Sequence, residues 1–274
     1  MVNTRVGTSS VFASLPFDQI EGPATISIHE DFIDTAVTAD LVDGTGVVIT
    51  NLGPHGWFGA EIAGAAVSNI TLVTAVADHP GIIRLEVGST SAADGDACSL
   101  QYGRNIVSDQ DMYLPDDNGM YIATVIRIAD VSDTIVEFGF VGQTPEVPGV
   151  GALDIAGIVF DPEDALNVDD KLFFAQLNDN NTDVSNVMSE LKYVENDWVL
   201  LEVALDSAGA SYRVTTEDGS ETTNITGTIT VTMRPAWTVE NVGSAEEVLD
   251  IDLFHLRYLR RDALVGTAAD WLGA

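Results

Sequence analysis

Short runs of apolar and β-branched residues recur along the chain, separated by Gly, Asp, Asn, Ser and Pro, and few segments carry a helical period. Met120–Ile128 is the clearest: Met120, Ile122, Thr124, Ile126 and Ile128 share one face and Arg127 takes the other, the period-two signature of a half-buried strand. Further strands are predicted at Thr25–His29, Val47–Thr50, Ile70–Thr74, Ile82–Val87, Ser99–Tyr102, Thr134–Val141, Ile155–Phe160, Leu172–Leu177, Ser211–Thr216 and Gly227–Met233. Trp198–Leu205 is apolar on both faces apart from Glu202, so it reads as a central strand covered on both sides, with Trp198 in the core. In Leu249–Leu259 the apolar phase changes: Leu249, Ile251 and Leu253 have one parity, Phe254, Leu256 and Tyr258 the other. A β-bulge near Leu253 reconciles the two.

So many strands without interposed helices imply an all-β, two-sheet antiparallel β-sandwich. Residues 23–261 carry that pattern. Residues 1–22 read as an irregular N-terminal arm and residues 262–274 as a short apolar C-terminal tail.

Charge narrows the partners. Against 43 Asp and Glu stand 11 Lys and Arg, a formal net charge of -32, so neither nucleic acid nor an anionic membrane finds the cationic surface it needs. Cys98 is the sole cysteine, which excludes an intramolecular disulfide and fits a buried, inert thiol. Met1–Pro16 lacks a basic n-region and a continuous apolar core, and no stretch approaches the roughly 20 apolar residues of a membrane span. The expectation is a soluble protein made in a cytoplasm without a signal peptide.

Six motifs occur in order over roughly residues 30–260. They are Glu30-Asp31-Phe32-Ile33; Pro80-Gly81-Ile82-Ile83-Arg84-Leu85 with Ser99-Leu100-Gln101 after a polar loop; Ala123-Thr124-Val125-Ile126-Arg127-Ile128; Glu137-Phe138-Gly139-Phe140-Val141; Asn196-Asp197-Trp198-Val199-Leu200-Leu201-Glu202-Val203; and Val248-Leu249-Asp250-Ile251-Asp252 with Tyr258. In this order the chain resembles the concanavalin-A-like (lectin/glucanase-type) jelly-roll proteins found among bacteriophage structural proteins, in capsid decorations and tail fibres. The resemblance implies a jelly roll and a non-enzymatic virion protein, a capsid decoration (cement) or other head- or tail-attached component. Its partners would be other virion proteins, the major capsid protein first, and further copies of itself in a closed ring such as a trimer. The alternative it implies is a carbohydrate-binding, receptor-binding module of a tail fibre.

Jelly rolls of this type also include glycosidases, whose retaining members hold two carboxyl groups about 5–5.5 Å apart. Glu247-Val248-Leu249-Asp250-Ile251-Asp252 places Asp250 and Asp252 on one strand face, but the third acid of the E-x-D-x-E pattern is missing. His29, His55, His79 and His255 are scattered without zinc-site spacing, and the reading for His255 is a strand-end hydrogen bond with Asp252. No nucleophile elbow, phosphate loop or dinucleotide fingerprint occurs, so no catalytic residue is assigned.

Calcium is the one cofactor the sequence suggests. Asp179-Asn180-Asn181-Thr182-Asp183 reads D-x-N-x-D, with Glu190 at position 12 of an EF-type loop; Asp179, Asn181, Asp183 and Glu190 are the candidate ligands. Val184 stands where that loop needs Gly, and an Asp/Asn hairpin turn is the competing reading. Trp57, within Pro54-His55-Gly56-Trp57-Phe58-Gly59, has a loop-like context that suits an exposed sugar platform. In the C-terminal tail, Leu264, Val265, Trp271 and Leu272 are apolar enough to seek a partner surface, which makes them candidate oligomer contacts.

Overall fold

The computed structural model describes residues 25–30, 39–41, 48–51, 57–62, 68–73, 79, 81–88, 96–102, 119–142, 154–167, 172–179, 182–188 and 190–259. Both terminal segments, with Leu264, Val265, Trp271 and Leu272, lie outside the described residues.

Among the described residues every regular element is a strand. In chain order these are β1 (Thr25–Glu30), β2 (Ala39–Leu41), β3 (Val48–Asn51), β4 (Trp57–Ile62), β5 (Ser68–Val73), β6 (Ile82–Val87), β7 (Asp96–Tyr102), β8 (Met120–Ile128) and β9 (Thr134–Val141). They continue with β10 (Ile155–Phe160), β11 (Phe173–Asp179), β12 (Thr182–Met188), β13 (Val199–Asp206), β14 (Gly209–Thr216), β15 (Gly219–Thr226), β16 (Arg234–Asn241) and β17 (Glu247–Leu259). One sheet runs β15-β14-β13-β8-β17-β6-β5-β2, with β1 also on β17; the other runs β12-β11-β10-β9-β16-β7-β4-β3. All the pairings are antiparallel. The architecture is the predicted two-sheet sandwich.

Alternation explains the core. From β8 the even residues Met120, Ile122, Ile126 and Ile128 point inward, and from β13 so do Val199, Leu201, Val203 and Leu205. They meet Phe138, Ala156, Ile158 and Trp237 from the facing sheet. The expected bulge is present: the β17–β8 register shifts between Ile251 and Leu253, so Leu249, Ile251, Phe254 and Leu256 all reach the interior. The bulge is also where β17 changes neighbours. Residues up to Ile251 pair with β6, and those from Phe254 onward pair with β1.

Gly227–Met233 is not the predicted strand. The chain there passes from β15 in one sheet to β16 in the other, so its backbone cannot stay in either ladder, while Ile229 and Met233 still fill the interior. The outer faces are partly covered as well. On the second sheet Val141, Ile155, Val159, Phe174 and Ala236 form a separate buried cluster.

Candidate functional site

Two predicted positions move once the strands are paired. Trp57 opens β4 opposite Tyr102 of β7, and its ring turns inward to 0% exposure. It packs against Tyr102, Trp237 and Phe254 with ring centroids 4.9, 5.6 and 5.1 Å away. Trp57 is therefore a core residue and offers no sugar platform. The Pro, His and Gly before it disguised the start of a strand. Trp198 moves the other way: it lies just before β13 and is half-buried, outside the core cluster.

The EF-type arrangement is replaced by a hairpin. Asp179 pairs directly with Thr182 between β11 and β12, which leaves no room for a cation-encircling loop of EF type. Asn181 lies outside the described residues. Glu190 falls past the far end of β12, about 20 Å from the hairpin tip at roughly 3.3 Å per residue, and its N–H donates to Glu221 Oε2 of β15 at 2.8 Å.

The outer face of the first sheet gathers most of the polar chemistry. Arg84 of β6 donates through Nε and an Nη to the two oxygens of Asp250 at 2.7 and 3.0 Å, and Arg127 of β8 donates to the same carboxylate. The strand registers dictate this, since Asp250 sits between Arg84 and Arg127 as their direct cross-strand neighbour. The hydrogen bonds it donates to Asp250, with burial working against them, leave the Arg84 guanidinium above its ordinary range. Asp250 is buried and both of its oxygens are occupied, so it is not placed to act on a substrate. Further along the same face, Tyr121 Oη donates to Glu202 at 2.7 Å and Arg213 donates to the other oxygen. Burial pushes the Glu202 carboxyl up, and the bonds from Tyr121 and Arg213 draw it back.

Next to this network lies an open depression of about 360 Å³, lined by His79, Val125, Asn196, Asp197, Trp198, Thr215, Thr216 and Glu217 among others. The His79 ring stacks on Trp198 with centroids 4.0 Å apart and planes 22° from parallel, and the Arg127 guanidinium lies 4.9 Å from the Trp198 ring centre. His79 Nδ1–H donates to Asp252 Oδ2 at 2.8 Å. Asp252, the bulged residue of β17, thus takes its histidine from across the sheet. Its near neighbour His255 instead packs edge-on against Tyr121, with centroids 5.7 Å apart. Asn196, at φ 66°, turns the chain into Trp198 and sets the indole at the rim.

The combined surface has one fixed aromatic wall, with amide, hydroxyl and carboxylate groups beside Val125, Val199 and Leu200 in the rest of the lining. Asp250 and Asp252 are each committed to cationic or imidazole partners, so the strand that carried the candidate acid pair supplies no catalytic dyad.

No family model matches the chain, and no curated protein does either. Among solved structures the chain is similar to the potassium-bound carbohydrate recognition domain of Emp46p, with 14% identity, 73% of this chain and 88% of that one covered, and a TM-score of 0.45. It is similar to the VIP36 exoplasmic/lumenal domain in its Ca2+/Man3GlcNAc-bound form, with 14% identity, 69% and 82% coverage and a TM-score of 0.45. It is also similar to a Lotus tetragonolobus seed lectin, with 11% identity, 85% and 99% coverage and a TM-score of 0.44.

Proposed function

We propose that the protein is a non-catalytic β-sandwich that binds carbohydrate in the depression beside Trp198. The observation that carries this reading is the His79–Trp198 stack at the edge of an open hollow whose lining also includes the polar residues Asn196, Asp197, Thr215, Thr216 and Glu217, beside Val125, Val199 and Leu200. A sugar ring presents an apolar C–H face and a rim of hydroxyls. A fixed aromatic surface takes the first, and amide, hydroxyl and carboxylate groups take the second. Because Arg127 and His79 hold the indole in place, little side-chain freedom is lost on binding. The virion-assembly reading rests on the motif resemblance over roughly residues 30–260 and on the terminal segments, which lie outside the described residues.

Calorimetric titration across a panel of oligosaccharides tests the proposal. Wild-type protein should bind at least one glycan and release no reducing sugar from it. Trp198→Ala should lose roughly tenfold or more in affinity, about the 1.4 kcal/mol of one decade, with the fold intact by circular dichroism. Absence of binding across the panel, or undiminished binding by the variant, would overturn the reading.

A further inference from the structure

A second cluster, remote in function from the depression, lies where the β8–β9 and β16–β17 turns meet. Asp130 and Asp133 come from the first turn, and Glu247 is the first residue of β17. One carboxylate oxygen from each lies within 4.8 Å of the others. That span is inside the roughly 5 Å separating oxygens on opposite sides of a Ca2+ ion, whose ligands sit at about 2.3–2.6 Å.

The surroundings hold these carboxylates in place. Asp130 Oδ1 accepts from the Ser132 N–H at 2.8 Å and the Ser132 hydroxyl at 2.7 Å, folding the turn back on itself. The Asp133 carbonyl accepts from the Val242 N–H at 2.9 Å, which joins the two turns. The Asp133 carboxylate rests directly on Gly243: a Cβ there would stand 2.3 Å from Oδ2, so any larger residue would push the carboxylate out of the cluster.

An acidic cluster alone is commonplace in a chain this negative. Glu247 sets this one apart. It is 1% exposed, Oε2 accepts from Thr134 Oγ1 at 2.5 Å, and Oε1 is buried with no hydrogen-bond partner. Buried carboxylate oxygens are almost always bonded, and an exception calls for a partner such as a water or an ion. No Lys or Arg pairs with Asp130, Asp133 or Glu247 among the described residues. Burial, then the neighbouring Asp130, Asp133 and Glu246, push the Glu247 carboxyl up to about 7, against the pull of Thr134.

From this geometry we infer that Asp130, Asp133 and Glu247 form a Ca2+ site that clamps the β8–β9 turn to the start of β17. The donors are all hard oxygens, which excludes the sulfur and imidazole preference of zinc. Asp130 and Asp133 belong to a turn, whose adjustable spacing suits the six to eight oxygens of Ca2+ better than the strict octahedron of Mg2+. Backbone carbonyls and water complete the shell.

Titrating the chelator-treated full chain with CaCl2 by calorimetry, at physiological salt, tests this assignment. A melting series in CaCl2 and in MgCl2 accompanies it. The expected result is one saturable Ca2+ site and a raised melting temperature that Mg2+ does not reproduce. Asp133→Asn should weaken binding by roughly tenfold or more, as loss of a charged ligand does in such sites. Asp130→Asn, at a half-buried position that leaves the Glu247–Thr134 bond untouched, should weaken it as well even if Asp133→Asn folds poorly. Asp206→Asn, at an exposed acid beyond the opposite end of β8, should bind like wild type. No saturable binding, an equal response to Mg2+, or unchanged affinity in the two Asp variants would overturn the site.

Discussion

Trp237 Nε1 donates to Thr124 Oγ1 at 3.1 Å across the interior, tying β16 of one sheet to β8 of the other. The same hydroxyl donates to the Leu253 carbonyl at 2.7 Å, beside the β17 bulge. One buried threonine thus satisfies an indole that has no water to turn to and a carbonyl displaced from the regular ladder.

Thr124→Val keeps the shape and removes both bonds. Stability in urea should fall by about 1–3 kcal/mol, the cost of leaving buried polar groups unpaired. Thr124→Ser, which retains the hydroxyl, should lose clearly less. Equal losses would mean that packing of the Thr124 methyl group outweighs the hydrogen bonds.

Trp57 makes a complementary case. Its ring has 0% exposure and contacts Tyr102, Trp237 and Phe254, so Trp57→Ala should destabilise by about 3–5 kcal/mol in a denaturant titration. Trp57→Phe should cost less. A variant with wild-type stability would show that the ring is not part of the core.

These two tryptophans show which parts of the fold a reader of the sequence can see. Clean alternation exposed β8 and β14, and a change of phase exposed the bulge in β17, because both are local consequences of which side chains must face inward. The strand β15 was invisible. Its residues alternate only between half-buried and exposed until Ile225, as befits the edge of a sheet, and so carry no hydrophobic signal. Gly227–Met233 alternates well and is not a strand, since a segment crossing between sheets needs buried residues too. The candidate sites were hidden for another reason. His79 meets Asp252, and Asp130 meets Glu247, only through pairings between strands far apart in the chain; each residue alone looks like ordinary polar surface.

Asp250 tests whether the outer-face charge network is structural. Its carboxylate is buried and bridges Arg84 and Arg127, whose side chains are 28% and 25% exposed. Asp250→Asn should destabilise by about 3 kcal/mol, the low end for breaking a buried pair, because the arginines keep some access to water. Glycan affinity at the depression should change as well, since Arg127 also steadies Trp198. Thermal melting and the calorimetric titration measure the two effects separately.

Glu137 should make the protein less stable as pH rises. It lies on the outer face of the second sheet between Val159 and Thr238, is 4% exposed, and has a carboxylate oxygen with no hydrogen-bond partner. Burial, and secondarily the charges of Glu240 and Asp161, raise its carboxyl from 4.5 to about 8. Between those two values the folded chain holds a proton that the unfolded chain has released. Unfolding then releases protons, so stability falls as pH rises through this window and levels off above it. Below pH 4.5 both states are protonated and the residue contributes no slope. Glu137→Gln reproduces the neutral acid at every pH. It should therefore match wild type near the lower limit and exceed it in melting temperature above pH 8, by a margin worth on the order of a few kcal/mol at most. Glu202 and Glu247, raised in the same direction, should leave the variant a residual slope. A Glu137→Gln protein whose melting temperature tracks wild type from pH 5 to pH 9 would mean that the carboxylate ionises without penalty and reaches solvent in the folded state.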